Sequence, residues 1–152
     1  MKVGFIGLGN VGGKLAGSLV RNGFDTVVHD LSREIAQKFI DKGAAWADSP
    51  KQMAEMCDVV ITCLPSPKAC SDVLEGANGI IEGLAPGKVW MEMSTTDAGE
   101  VKRIAEKVQA KGAFAVECLT DGKQQIYYSS NRGTTRSHNG RLMAISRGQA
   151  VA

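Results

Sequence analysis

Residues Val3-Gly-Phe-Ile-Gly7-Leu-Gly9-Asn-Val-Gly12 set a short apolar run directly ahead of a G-x-G-x-x-G turn. The run is a strand signal, and the turn solves one packing problem. Gly7 permits a tight bend, Gly9 omits the Cβ that would meet a phosphate, and Gly12 lets the next helix approach the strand closely. Leu8, Asn10 and Val11 occupy the remaining loop positions. A helix starting here aims its N–H groups and the positive end of its dipole at an anion. The pattern predicts a pyrophosphate-binding loop.

The flanking sequence meets the structural test for such a loop. Lys2–Ile6 reads as a strand, and Val11–Arg21 carries Leu15, Leu19 and Val20 at helical spacing before an Asn22-Gly23 stop. Phe24–His29 reads as a second strand that ends at Asp30. Asp30 follows Gly12 by 18 residues, near the ~20 at which a carboxylate meets an adenosine ribose. Leu31 and Arg33 adjoin it on the same side of the expected site.

Further along, Ser32 is a candidate cap for a helix reaching about Lys42, with Ala36, Phe39 and Ile40 inward and Gly43 as the stop. Ser49-Pro50 opens a short helix over Met53–Met56. Asp58–Leu64 has the continuous apolar character of a buried parallel strand, and Pro65-Ser66-Pro67 ends it. Lys68–Leu74 reads as one short helix, followed by a turn region from Gly76 to Gly87. Lys88–Met93 is a further strand, closed by Ser94-Thr95-Thr96. Thr96 or Asp97 caps a helix to about Lys111, and Ala113–Val116 is the next strand. This alternation predicts an α/β fold: one Rossmann-type domain, doubly wound on a mostly parallel sheet. Its expected extent is residues 1–118. Residues 119–152 read as a divergent, partly irregular basic tail with a last strand at 142–146.

Bulk properties bound the function classes. The chain has 152 residues, 43% hydrophobic and 22% charged, ordinary for a globular domain. No apolar run approaches a membrane span, and no cleavable leader precedes the first strand, so a cytoplasmic protein without membrane partners is expected. Cys57, Cys63, Cys70 and Cys118 form no C-x-x-C pair and no ligand spacing with His29 or His138, which argues against a metal site or disulfide framework. Charge is split. Residues 1–121 hold 13 Lys and Arg against 16 Asp and Glu; the remainder holds Lys123, Arg132, Arg136, Arg141 and Arg147 and no acid, giving −3 and +5. The arginines are widely spaced and only Tyr127 and Tyr128 offer stacking, which weighs against nucleic acid as a partner.

With these residues in view, the sequence resembles the β-hydroxyacid dehydrogenases, of the 3-hydroxyisobutyrate and tartronate-semialdehyde reductase type. The resemblance covers about residues 1–117. It rests on Gly4-Phe-Ile-Gly-Leu-Gly-Asn-Val-Gly12, Asp58-Val-Val-Ile-Thr-Cys-Leu-Pro65 and Met93-Ser-Thr-Thr96. The NAD(P)-binding domain of 6-phosphogluconate dehydrogenase is similar at greater distance. The resemblance implies hydride transfer between a nicotinamide cofactor and a 3-hydroxy acid or its semialdehyde. Gly7–Gly12 would hold the pyrophosphate and Asp30 the ribose. Leu64 and Pro65 would line the cofactor, and Ser94 and Thr95 would lie near the nicotinamide; a strand terminus and a helix cap are the plainer readings of those two pairs. A carboxylate at Asp30 repels a 2′-phosphate and favours NAD, while Arg33 keeps NADP open.

The pattern breaks after Val116. The family places Asp-x-Pro-Val-Ser-Gly-Gly here, gripping a substrate carboxylate; this chain has Glu117-Cys-Leu-Thr120-Asp121-Gly122. Thr120 and Gly122 are the stand-ins for substrate binding, but Asp121 puts a negative charge beside them. At an effective dielectric of about 20, two unit charges 4 Å apart repel by about 4 kcal/mol. The family's catalytic lysine lies on a helix beyond the point where this sequence stops, in a helical domain. The catalytic residue is therefore unknown, and the sequence reads as a shortened cofactor-binding domain with little turnover alone. A hydroxy acid becomes a partner only if another chain supplies the helical domain, and exposed apolar surface suggests a homo-oligomer. The alternative is a non-enzymatic nucleotide-sensing or partner-binding module that uses the basic tail.

Overall fold

The computed structural model describes residues 1–94, 97–119, 125–128 and 137–139. The first strand, β1 (Lys2–Ile6), runs into helix α1 (Asn10–Arg21), and β2 (Asp25–His29) into α2 (Arg33–Ile40). A two-residue strand β3 (Ala45–Trp46) precedes α3 (Pro50–Met56). Strand β4 (Val59–Thr62) leads to α4 (Pro67–Glu75) and the single turn α5 (Ile80–Gly83). Then come β5 (Val89–Glu92), α6 (Ala98–Ala110), β6 (Phe114–Leu119), β7 (Gln125–Tyr128) and β8 (Ser137–Asn139).

The strands form one sheet in the order β3-β2-β1-β4-β5-β6-β7-β8. Pairing is parallel from β3 to β6, and antiparallel where β7 joins β6 and β8 joins β7. The mostly parallel, doubly wound reading is borne out. On one face, Ala16 of α1 and Ala36 and Phe39 of α2 pack on Val3, Phe5, Val28 and Ile61. On the other, Met53, Leu74, Ile80, Ile104 and Val108 of α3 to α6 cover Ile6, Val27, Val60, Trp90 and Ala115. Large buried side chains of this kind each stabilise the fold by ~1.5–3 kcal/mol, which is why the apolar alternation located the helices.

Local chemistry explains the boundaries. Ser49 and Ser66 accept from Gln52 N–H and Ala69 N–H, each at 3.1 Å, and each precedes a proline at the helix start. Of the two caps open for α6, Asp97 takes the role, its Oδ1 accepting from Glu100 N–H at 2.9 Å. Ser32 precedes α2, but its side chain makes no cap bond. Gly23, Gly43 and Gly112 follow helices with positive φ, as stop glycines do.

Six elements differ from the sequence reading. β3 and α5 carry too few residues to show a period. α2 ends at Ile40, before Lys42. β6 extends to Leu119, and β7 and β8 lie in the stretch read as irregular, because sheet pairing there runs through backbone groups rather than an apolar pattern. The expected strand at 142–146 lies outside the described residues.

Candidate functional site

Where β1 pairs with β2 on one side and β4 on the other, successive connections leave the sheet on opposite faces. Open α/β sheets place ligands in the crevice at such a switch point, outside the C-terminal ends of the strands. The glycine loop leaves β1 at this point.

Each loop glycine has a distinct geometric reason. Gly7 has φ +91°, and a Cβ there would sit 2.3 Å from the Cys63 carbonyl oxygen. At Gly12 a Cβ would lie 1.9 Å from the Gly7 carbonyl oxygen and 3.2 Å from the Phe5 ring. These two close the turn against β4 and β1. At Gly9, by contrast, a Cβ would meet no protein atom within 4 Å. Gly9 is the N-cap of α1, with no side-chain cap bond and no acid in the helix's first turn. Gly9, Asn10 and Val11 are exposed, while Leu8 is buried beneath them. The loop thus presents a bare, positively polarised helix start with open space before it, the form that suits an anion.

Asp30 follows β2 and is half-buried. Its Oδ2 accepts from Leu8 N–H at 2.7 Å and its Oδ1 from Ser32 N–H at 3.1 Å. Each carboxylate oxygen keeps acceptor capacity for a ligand hydroxyl. Leu31 next to it is fully exposed. Arg33 is exposed too, its guanidinium 5.3 Å above the Trp46 ring, which also lies 5.3 Å from the His29 imidazole. His29 in turn uses Nδ1 to donate to the Ala47 carbonyl at 2.8 Å. The Arg33 charge is thereby held on an aromatic platform near the end of β2.

The exits of β4 and β5 are tied together by a polar cluster inside the apolar layer. Trp90 Nε1 donates to Thr62 Oγ1 at 2.9 Å, and Thr62 donates to Glu92 Oε2 at 2.6 Å. Cys70 Sγ donates to the same oxygen at 3.0 Å, and Ser94 N–H to Glu92 Oε1 at 2.6 Å. Ser94 Oγ then accepts from Leu64 N–H at 2.7 Å. Thr62, Glu92 and Ser94 are buried. Burial, then the Glu92 charge, pushes up the Cys70 and Cys63 thiols and the carboxyl of Glu117, the residue paired with Glu92 on β6.

The structure thus brings Gly7–Gly12, Asp30, Leu64 and Ser94 to one sheet edge. Asp30 touches the loop through Leu8, Leu64 approaches Gly7, and Ser94 holds Leu64; Pro65 is exposed beside them. Thr95, Thr120 and Gly122 lie outside the described residues. Sequence reasoning gave no site role to Thr62, Cys70, Trp90 or Glu92, or to Trp46 beneath Arg33. One signal was available: Glu92 is a lone acid in an otherwise apolar strand. Among the described residues no cluster of His, Cys, Asp and Glu could hold a metal ion, and no helix is long and apolar enough to cross a membrane.

Comparison with known proteins agrees with this geometry. Residues 2–126 match the profile of the NAD binding domain of 6-phosphogluconate dehydrogenase. The chain is 33% identical over 125 residues to the human cytokine-like nuclear factor N-PAC, covering 82% of this chain and 23% of that protein. It is 35% identical over 120 residues to mouse mitochondrial 3-hydroxyisobutyrate dehydrogenase, covering 79% of this chain and 36% of the relative. It therefore spans about a quarter to a third of the length of these curated relatives. Among solved structures, Psf3 in complex with NADP+ and 2-OPP superposes with a TM-score of 0.74 at 28% identity, over 77% of this chain and 42% of that one.

Proposed function

The chain belongs to the family of the NAD binding domain of 6-phosphogluconate dehydrogenase, and from that membership we propose that it holds a nicotinamide dinucleotide across the switch-point crevice. The observation that carries this reading is the open Gly9 position at the uncapped start of α1. Gly7–Gly12 receive the pyrophosphate, with Leu8, Asn10 and Val11 shaping the loop. Asp30 accepts the ribose hydroxyls, flanked by Leu31. Leu64, Pro65, Ser94 and Thr95 border the nicotinamide half.

The Asp30 carboxylate favours NAD over NADP. A 2′-phosphate would bring a second negative charge against it, and Arg33, packed over Trp46, is the one cation in this group of residues placed to offset that cost. A bound nicotinamide supplies the hydride donor or acceptor. The residues here bind and orient it, and the reaction this leads to is interconversion of a 3-hydroxy acid and its semialdehyde. Thr120 and Gly122 are the candidates on this chain for meeting the acid's carboxylate.

Calorimetric titration with NAD+, NADH, NADP+ and NADPH tests the reading, with Asp30→Ala as control. Binding that is tighter for NAD(H) and weakens in the control is the expected result. Absence of binding for all four overturns it.

A further inference from the structure

We propose that Glu92 is a positioning residue for the nicotinamide half of the crevice: its buried carboxylate fixes the exits of β4 and β5 between which that half would lie. The inference rests on the cofactor reading above and deepens it.

Glu92 has no exposed surface and lies in a strand whose other residues are apolar. A carboxylate withdrawn from water is costly, and an apolar side chain of similar volume would serve the core as well or better. What the carboxylate adds is direction. Oε2 is held by the Thr62 hydroxyl at 2.6 Å and the Cys70 thiol at 3.0 Å, from β4 and α4. Oε1 faces the other way, to the Ser94 N–H at 2.6 Å. The Trp90 indole donates to Thr62 Oγ1, which leaves the threonine proton aimed at Glu92.

Ser94 returns the connection to β4 by accepting from Leu64 N–H at 2.7 Å. Thr62 and Leu64 flank the last turn of chain leaving β4, and Glu92 and Ser94 flank the one leaving β5. A closed ring of hydrogen bonds therefore joins two segments 30 residues apart in sequence. Among the described residues no hydrogen bond of this ring goes to the glycine loop or to Asp30, whose own bonds are to Leu8 and Ser32; the ring meets the loop only where the Leu64 side chain packs near Gly7. The hydrogen bonds that hold the two halves of the crevice are separate, so loss of one set should weaken its own half more than the other.

That separation gives the test. NADH is titrated beside ADP-ribose, and NADPH beside 2′-phospho-ADP-ribose, against the wild type and Glu92→Gln. Nicotinamide fluorescence reports the environment of the reduced ring. The amide keeps the size of Glu92 but presents a donor where Thr62 or Ser94 now needs an acceptor. Losing one such bond to a charged group should weaken the reduced dinucleotide by about tenfold. ADP-ribose affinity should stay within about twofold, since its contacts are elsewhere. Equal loss for both ligands overturns the proposal in favour of a general core role, and no loss for either overturns it as well. If Glu92→Gln does not fold, Thr62→Val, which removes the buried hydroxyl that donates to Glu92 Oε2 from a residue with no assigned cofactor contact, is judged by the same ratio. A wild type that binds ADP-ribose and NADH equally well sinks this proposal while leaving the dinucleotide reading intact. A wild type that binds neither overturns the cofactor reading and this proposal with it.

Discussion

The Leu8 N–H donates to Asp30 Oδ2 at 2.7 Å, joining the centre of the glycine loop to the end of β2 across 22 residues. Asp30 is therefore a clasp on the loop, in addition to the ribose role proposed for it. Asp30→Ala should cost dinucleotide affinity at least tenfold, about 1.4 kcal/mol, and should also speed amide exchange at Leu8 in the free protein. Both are measurable, by calorimetry and hydrogen exchange. Unchanged Leu8 exchange would show that the clasp contributes nothing to loop order.

The loop glycines should separate folding from binding. A Cβ at Gly12 would fall 1.9 Å from the Gly7 carbonyl oxygen. Gly12→Ala forces a backbone shift and should lower stability by about 1–3 kcal/mol. Gly9→Ala meets open space, so its melting temperature should stay within a few degrees, whereas the dinucleotide loses its approach to the backbone. Thermal melts paired with NADH titration check both; a Gly9→Ala protein that binds normally would move the pyrophosphate elsewhere.

Glu75 links α4 to α6, accepting from Arg103, Lys107 and Ser71. The Arg103 guanidinium, then the Lys107 ammonium, hold its carboxyl at about 2, below the usual 4.5. Because the folded value lies under the unfolded one, the stabilisation is present above about 4.5 and is lost as pH falls toward 2. Wild-type melting temperature should therefore drop more steeply across that window than that of Glu75→Gln, and the two should converge near its lower end. High salt should narrow the difference, since Arg103 and Lys107 are exposed. Parallel curves at all pH values would remove Glu75 from the acid transition.

Burial pushes the Cys57 thiol up to about 11, and burial followed by the Glu92 charge raises Cys70 further. The thiolate is the reactive form. Iodoacetamide at pH 8 should leave both unlabelled in the folded protein and modify both in urea, as read by mass spectrometry of peptides. Rapid native labelling of Cys70 would mean that the cluster around Glu92 opens readily.

Much of this arrangement was legible in the residues themselves. The helix start at Ser49-Pro50, the buried run of β4 and the glycine loop depend on neighbours within a few positions, so local spacing reveals them, whereas Ser66-Pro67 read as the end of a strand and proved to open α4. β3 was not legible, because two residues, Ala45 and Trp46, carry no period and pair with β2 only once β2 is in place. β7 is of the same kind: its place beside β6 is set by backbone pairing.

The site divides the same way. By itself the sequence determined that a strand enters a G-x-G-x-x-G turn and that an acid closes the second strand, because turn chemistry and periodicity act over short range. Only the tertiary structure decided what those groups touch. Ser94 read as a neighbour of the cofactor, with a helix cap by Ser94-Thr95-Thr96 as the plainer alternative; in the fold its hydroxyl faces Leu64, and the cap of α6 falls to Asp97. Glu92 read as one more strand residue, and became the joint between β4 and β5. Such partners lie 30 residues apart, and what brings them together is the order of strands in the sheet, a non-local property that no stretch of sequence carries alone.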